Sequence, residues 1–252
     1  MRVLLTNDDG IHAPGLEILE EIAAGLSDDV WIVAPEYEQS GASRSLSLTE
    51  PLRMRELSPK RFAVQGTPTD CVIMALRHVM EVPPDLVLSG VNRGQNVADD
   101  VQYSGTIAGA QEGTLLGIPS MALSQSYGWG SRSKLHWECA AQHGTDTVKH
   151  IYDHGIPPGA VINVNFPDCP PDQVQGLEVT RQGKRDQNLL YIDERQDGRG
   201  FPYYWLAFDR KDSDPRDGTD LRALIENRIS VTPLLQNLTD NDALKQLSDL
   251  TG

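Results

Sequence analysis

The sequence predicts an α/β fold with a mostly parallel sheet, followed by a C-terminal β extension. Three observations carry that prediction. Short runs of β-branched residues and leucine at 3–5, 30–34, 86–88 and 161–164 read as buried strands. Segments at helical spacing lie between them, as in βαβ units. Polar and glycine-rich stretches fall directly after several of these runs, where ligands of open α/β sheets bind.

The first run, Val3, Leu4 and Leu5, stops at Thr6, Asn7, Asp8, Asp9 and Gly10. Adjacent residues of a strand point to opposite faces, so Asp8 and Asp9 serve one site only where the strand has ended. Two unit charges about 4 Å apart repel by roughly 4 kcal/mol at an effective dielectric near 20, so the pair calls for a proton or a hard divalent cation. Residues 14–26 then space Leu16, Leu19, Ile22, Ala23 and Leu26 as a helix, with Pro14 at its start. A second strand at 30–34 ends at Pro35. A right-handed crossover brings the loop after it, Glu38 to Ser43 with Ser40 at its centre, to the edge that carries Asp8 and Asp9. Such a loop is weak evidence by itself. Alternation of Leu46, Leu48, Leu52, Met54, Phe62 and Val64 predicts short extended segments, and Thr67-Pro68-Thr69-Asp70 opens a helix reaching about Met80.

The strand at 86–88 runs into Ser89, Gly90, Val91, Asn92, Arg93, Gly94, Gln95 and Asn96, then Asp99, Asp100, Tyr103, Ser104, Gly105 and Thr106. The helix from about 107 to 116 starts at Ser104-Gly105-Thr106, and its free N–H groups form an anion site suited to phosphate. The plainer alternative is that Ser104 or Thr106 only caps the helix. A strand is expected at 119–123 and a helix at 133–154. His136, His143 and His150 recur along one flank of that helix, but a heptad step is about 10.5 Å, too long for ligands of one ion, so they are expected on a solvated shoulder. After the strand of Val161, Ile162 and Val164, the pieces at 177–180, 189–192 and 203–208 read as an antiparallel appendage. Residues 209–220 read as a charged loop, 229–232 as a last strand and 242–250 as a terminal helix. This divides the chain into a core at 1–168 and an extension at 169–252 whose strand and terminal helix are expected to pack back on the core.

Composition narrows the function. Lys plus Arg number 22 against 36 Asp plus Glu, a net charge of -14, which disfavours nucleic acid polymers and anionic lipid as partners. No apolar run of about eighteen residues is present to span a membrane. The start, Met1-Arg2 followed at once by strand-like sequence, carries no secretory signal pattern, so a cytoplasmic protein is expected. Cys71, Cys139 and Cys169 form no Cys-x-x-Cys and are expected as buried thiols.

The strand ends together offer Asp8, Asp9, Ser40, Asn92, Asn96, Ser104, Gly105 and Thr106. An oxygen-only set of ligands favours Mg²⁺ or Mn²⁺, with Ca²⁺ as an alternative occupant, and points to hydrolysis of a phosphate monoester. No Gly-x-Ser-x-Gly elbow and no P-loop occur. The motifs LLTNDDG ending at Gly10, SGASRSLSL at Leu48, GTPTDC at Cys71, SGVNRGQN at Asn96, DDVQYSGTIAGAQEG at Gly113, VNFP at Pro167, VTRQG at Gly183, GTD at Asp220 and ISVTPL at Leu234 resemble, in order, the SurE (survival protein E) family of metal-dependent nucleotidases. The resemblance implies a Rossmann-like three-layer core and removal of phosphate from nucleoside 5'- and 3'-monophosphates, with some members also cleaving short polyphosphate. It implies one divalent ion per subunit, held by Asp8, Asp9, Ser40 and Asn92, with phosphate at Asn96, Ser104, Gly105 and Thr106; the residues themselves offer Asp8 or Asp9 as the catalytic group that orients or deprotonates the water. It also implies a homodimer or homotetramer that exchanges a C-terminal hairpin, expected within residues 189–232.

Rival readings are weaker. A phosphoacceptor switch domain needs an Asp after a later central strand, yet Leu88 is followed by Ser89-Gly90 and Val164 by Asn165. A haloacid-type phosphatase needs Asp-x-Asp, which Asp8-Asp9 does not supply. A non-catalytic, metal-dependent binder of phosphorylated ligands remains as the alternative to an enzyme.

Overall fold

The structure is a computed structural model, describing residues 1–128, 135–185, 190–208 and 214–251. The chain opens with β1 (Arg2–Thr6), α1 (Pro14–Ala24) and β2 (Asp29–Pro35). Then come β3 (Met54–Ser58), β4 (Arg61–Val64), α2 (Pro68–Met74), β5 (Leu86–Arg93) and α3 (Gly105–Leu115). The second half holds β6 (Ser120–Gln125), α4 (Trp137–His154), β7 (Ala160–Phe166), β8 (Leu177–Val179), β9 (Leu190–Gln196), β10 (Pro202–Phe208), α5 (Asp220–Ile225), β11 (Ile229–Leu235) and α6 (Asn241–Leu247).

Nine strands form one sheet in the order β3-β4-β2-β1-β5-β6-β7-β11-β8. The pairs from β4 through β7 are parallel, whereas β3 and β11 run antiparallel to β4 and β7. Strand alternation divides the core between two faces. Val3 and Leu5 of β1, Leu86 and Leu88 of β5, and Ile162, Val164 and Phe166 of β7 join Leu16, Leu19, Ile22, Ala140 and Val148 of α1 and α4. On the other face Leu4, Val33 and Val87 meet Val72 of α2, and Val161 and Ala122 meet Ile107 of α3. Helices therefore cover both faces, giving the three-layer α/β arrangement expected.

Local chemistry sets the ends of the elements. Thr67 and Asp70 form a reciprocal capping box at the start of α2, and that helix closes in a π-helical turn at Ala75–Val79. Ser104 caps α3 by accepting from the Ile107 N–H.

The second half departs from expectation in two places. The segment at 177–180 was expected in an antiparallel appendage, but β8 pairs in parallel with β11 and extends the main sheet. The reason is that β11 lies between β7 and β8, leaving β8 an open edge to join. Among the described residues, β9 and β10 form a separate antiparallel sheet. The terminal helix was expected on the core, yet α6 has no buried residue and Leu244 and Leu247 are exposed. Residues 133–134, 189 and 209–213 of the expected elements lie outside the described residues.

Candidate active site

The carboxyl ends of β1, β2 and β5 meet at one edge of the sheet, and backbone bonds fasten their loops together. The Gln39 N–H donates to the Asp8 carbonyl at 2.8 Å and the Ile11 N–H to the Pro35 carbonyl at 2.8 Å, so the loop after β2 is sewn to the β1 turn. Gly10, at φ +103°, allows that turn to reverse immediately after the aspartates. The Ser47 hydroxyl donates to Asp70 at 2.7 Å, holding the far end of the Ser40 loop against α2.

The strand at 86–88 was expected to end at Leu88, but β5 continues through Arg93. Its register against β6 slips between Ser89 and Asn92. Gly90 sits in that bulge at φ +141°, and a Cβ there would fall 2.2 Å from the Leu123 carbonyl oxygen. Beyond the bulge Asn92 and Arg93 still pair with β6, and the Arg93 N–H donates to Asp9 Oδ2 at 3.1 Å.

The result is a cleft of about 430 Å³ lined by Asp8, Asp9, Ser40, Asn92, Asn96 and Ser104. Gly105 and Thr106 stand immediately behind Asp8. The Thr106 hydroxyl donates to Asp8 Oδ1 at 2.6 Å, and a Cβ on Gly105 would meet the Asp8 Cβ at 2.8 Å. The Asp8 carboxylate thus lies across the start of α3, also accepting from the Thr106 backbone N–H. Burial, and after it the charge of Asp9, pushes the Asp8 carboxyl up to about 6. Burial also raises Asp9 above the usual carboxylate range, against the lowering effect of the Arg93 N–H.

Both readings of Ser104 were open from sequence, and the structure has its hydroxyl capping α3. Ser40 Oγ donates to Glu38 at 2.8 Å, and Asn92 Nδ2 donates to the Gly94 carbonyl at 2.8 Å. The Asn92 amide oxygen and the Ser40 hydroxyl oxygen therefore keep acceptor capacity beside the carboxylates. A buried carboxylate and a half-buried one, both raised above the usual carboxylate range by burial, with two neutral oxygens in the same cleft, fit a hard divalent cation. Among the described residues no group of three or more His, Cys, Asp or Glu forms a metal site. The histidines of α4 do not converge. His136 pairs with Glu138 and His143 bonds the Pro171 carbonyl. All three cysteines are buried and free.

Glu38 and Gln95, from the two candidate loops, also line the cleft, as do Tyr127 and Arg185, which the sequence did not single out. Arg185 comes from beyond β8, brought in by an ion pair with Asp100 at 2.5 Å. Asp220 anchors the same rim, accepting from the N–H groups of Ala98 and Gly183 at 2.9 Å. Nothing local in the sequence signals a partnership across such a separation.

Known proteins resemble this chain over its whole length. A family model described as Survival protein SurE matches residues 3–189. The chain belongs to the SurE family. A relative named 5'-nucleotidase SurE from Methylobacterium sp. (strain 4-46) is 61% identical over 253 residues, covering 100% of both chains. Another of that name, from Methylorubrum populi, is 63% identical over 249 residues and covers 98% of each chain. The crystal structure of the SurE protein from Aquifex aeolicus superposes with a TM-score of 0.87 at 39% identity, over 100% of both chains. The SurE fold thus extends through the second half of the chain. Among the described residues no helix is long and apolar enough to cross a membrane.

Proposed function

We propose that this protein is a divalent-metal-dependent phosphatase that hydrolyses nucleoside 5'- and 3'-monophosphates to nucleoside and phosphate. The observation that carries the reading is the meeting of Asp8, Asp9, Ser40, Asn92, Asn96 and Ser104 in one cleft at the carboxyl edge of the sheet. Relatives covering the whole chain are named 5'-nucleotidase SurE, which supports an enzyme over a non-catalytic binder.

In this reading Asp8, Asp9, Ser40 and Asn92 hold one Mg²⁺ or Mn²⁺. When bound, the ion supplies Lewis acidity toward a phosphoryl oxygen and compensates the paired carboxylates. Asn96, Ser104 and Gly105 present amide, hydroxyl and N–H groups to the phosphate beside Thr106, whose own donors hold Asp8, with the start of α3 contributing a favourable dipole of about 0.3–1 kcal/mol. Asp8 or Asp9 orients the attacking water and accepts its proton. Arg93 and Arg185 add positive charge to the cleft, while Tyr103 and Tyr127 provide flat walls for a nucleoside.

The hairpin of β9 and β10 is proposed to pair subunits into a homodimer or homotetramer. Ile192, Tyr204, Trp205 and Leu206 are each more than half exposed on it. An isolated two-stranded hairpin is marginal in water, and an apolar surface of this kind marks an association site.

The test is phosphate release from a panel of nucleoside 5'- and 3'-monophosphates, with chelator and with Mg²⁺ or Mn²⁺ restored. Release lost on chelation and regained with metal supports the proposal. A folded, metal-binding protein that releases nothing under any condition overturns it in favour of the binding module.

A further inference from the structure

β7 is buried throughout, yet it carries two asparagines, Asn163 and Asn165, among its apolar residues. Strand alternation sets both opposite to Ile162, Val164 and Phe166, on the face that Val161 shares with α3. A buried amide is costly unless its hydrogen bonds are made. Here the bonds converge on one residue of the cleft. Asn165 Oδ1 accepts from the Asn96 N–H at 2.8 Å, and Asn165 Nδ2 donates to the Asn96 carbonyl at 3.1 Å. Asn163 Nδ2 donates to the same carbonyl at 2.8 Å. The Asn96 side chain in turn donates to Ser124 Oγ at 2.9 Å on β6, and more distantly to Thr106 Oγ1 at 3.4 Å. Thr106 holds Asp8.

A loop residue has no ladder of its own to fix its backbone. Asn96 is instead gripped on both its N–H and its C=O by a single side chain from the rigid centre of the sheet. We propose that Asn165 is a positioning residue for the reaction: its amide fixes the Asn96 backbone, and through it the phosphate-contacting side chain. Asn163 adds one bond to the same carbonyl. The inference rests on the proposed role of Asn96 in holding phosphate.

The two asparagines form a matched pair for the test. Both are fully buried on one face of one strand. Truncation to alanine removes the same atoms from each, but Asn165→Ala deletes two bonds to Asn96 and Asn163→Ala deletes one. The experiment measures kcat and KM for a nucleoside monophosphate, inorganic phosphate binding and Mn²⁺ binding by calorimetry, and thermal unfolding. It compares the full-length wild type with Asn165→Ala, Asn163→Ala and Asn96→Ala.

The expected result is a fall in kcat of about 100-fold for Asn165→Ala, matching the cost of a misplaced reacting group. Phosphate affinity should fall about tenfold with Mn²⁺ affinity retained, and the loss for Asn163→Ala should be about ten times smaller. Asn165→Asp, which keeps shape and acceptor but sets an oxygen against the Asn96 carbonyl, should repeat the loss without a cavity. Equal losses for the two alanine variants would reduce both asparagines to packing and overturn the inference. Wild-type kinetics and phosphate binding in Asn165→Ala, beside an impaired Asn96→Ala, would overturn it and leave the proposed function standing. Unimpaired Asn96→Ala would overturn the phosphate role of Asn96 and this inference with it.

Discussion

Asp8 is the residue on which the local electrostatics turn. Its folded-state carboxyl, pushed up to about 6 by burial and by Asp9, binds a proton more tightly than the unfolded chain near 3.8. For the metal-free protein the sign follows: the folded state holds more protons, so stability falls as pH rises from about 4 to about 6 and then levels off. The shift corresponds to about 3 kcal/mol of destabilisation at neutral pH. Metal-free Asp8→Asn should therefore be more stable than wild type at pH 7, by about 1–3 kcal/mol, an advantage that shrinks toward pH 4; denaturant unfolding at both pH values checks it. Because a cation must displace that proton, Mn²⁺ affinity should weaken by up to about tenfold per pH unit below about 6, as read by calorimetry. The two aspartates were legible in the sequence because a paired acid after a buried strand needs a counter-charge. The fastening of Asp8 by Thr106 was not legible, since it depends on α3 returning to the β1 turn.

At the scale of elements, the strand ends and helix starts make the site, and α3 approaches β1 most closely at Gly105. Gly105→Ala places a methyl group 2.8 Å from the Asp8 Cβ, among atoms that cannot withdraw without moving the carboxylate. Overpacking of this kind costs about 1–3 kcal/mol. The variant should show that loss in denaturant unfolding together with a fall in phosphate release of at least about tenfold. Most of these elements could be read from the sequence. Val3, Leu5 and the run at 86–88 announce strands by composition, and Thr67-Pro68-Thr69-Asp70 announces a helix start by its capping chemistry. The extension of β5 to Arg93 was hidden because a bulge at Gly90 resembles the end of a strand. The parallel placement of β8 was hidden because a three-residue strand takes its direction from its partner β11. Asn163 and Asn165 did leave a signal, two amides at alternate positions of a buried strand, which marks a polar network behind a site.

At the scale of the whole molecule, the nine-stranded sheet acts as a rigid base, with the cleft at its carboxyl edge and an apolar hairpin standing off it. The hairpin's proposed role predicts that Trp205→Asp shifts the light-scattering mass toward the 27.7 kDa of one chain. An oligomer unchanged by that substitution would remove the hairpin from the interface. Assembly was the part least readable from sequence, because exposed aromatics on two short strands do not reveal what covers them. The central claim is that the paired carboxylates after β1 hold the metal that phosphate release requires. The most direct measurement titrates Mn²⁺ into wild type and Asp9→Asn by calorimetry and follows phosphate release from a nucleoside 5'-monophosphate in the same samples. The account predicts one ion per wild-type subunit, with metal affinity and release falling together by about 10³-fold in a folded Asp9→Asn. Normal release by Asp9→Asn, or tight Mn²⁺ binding that does not depend on Asp9, would contradict it.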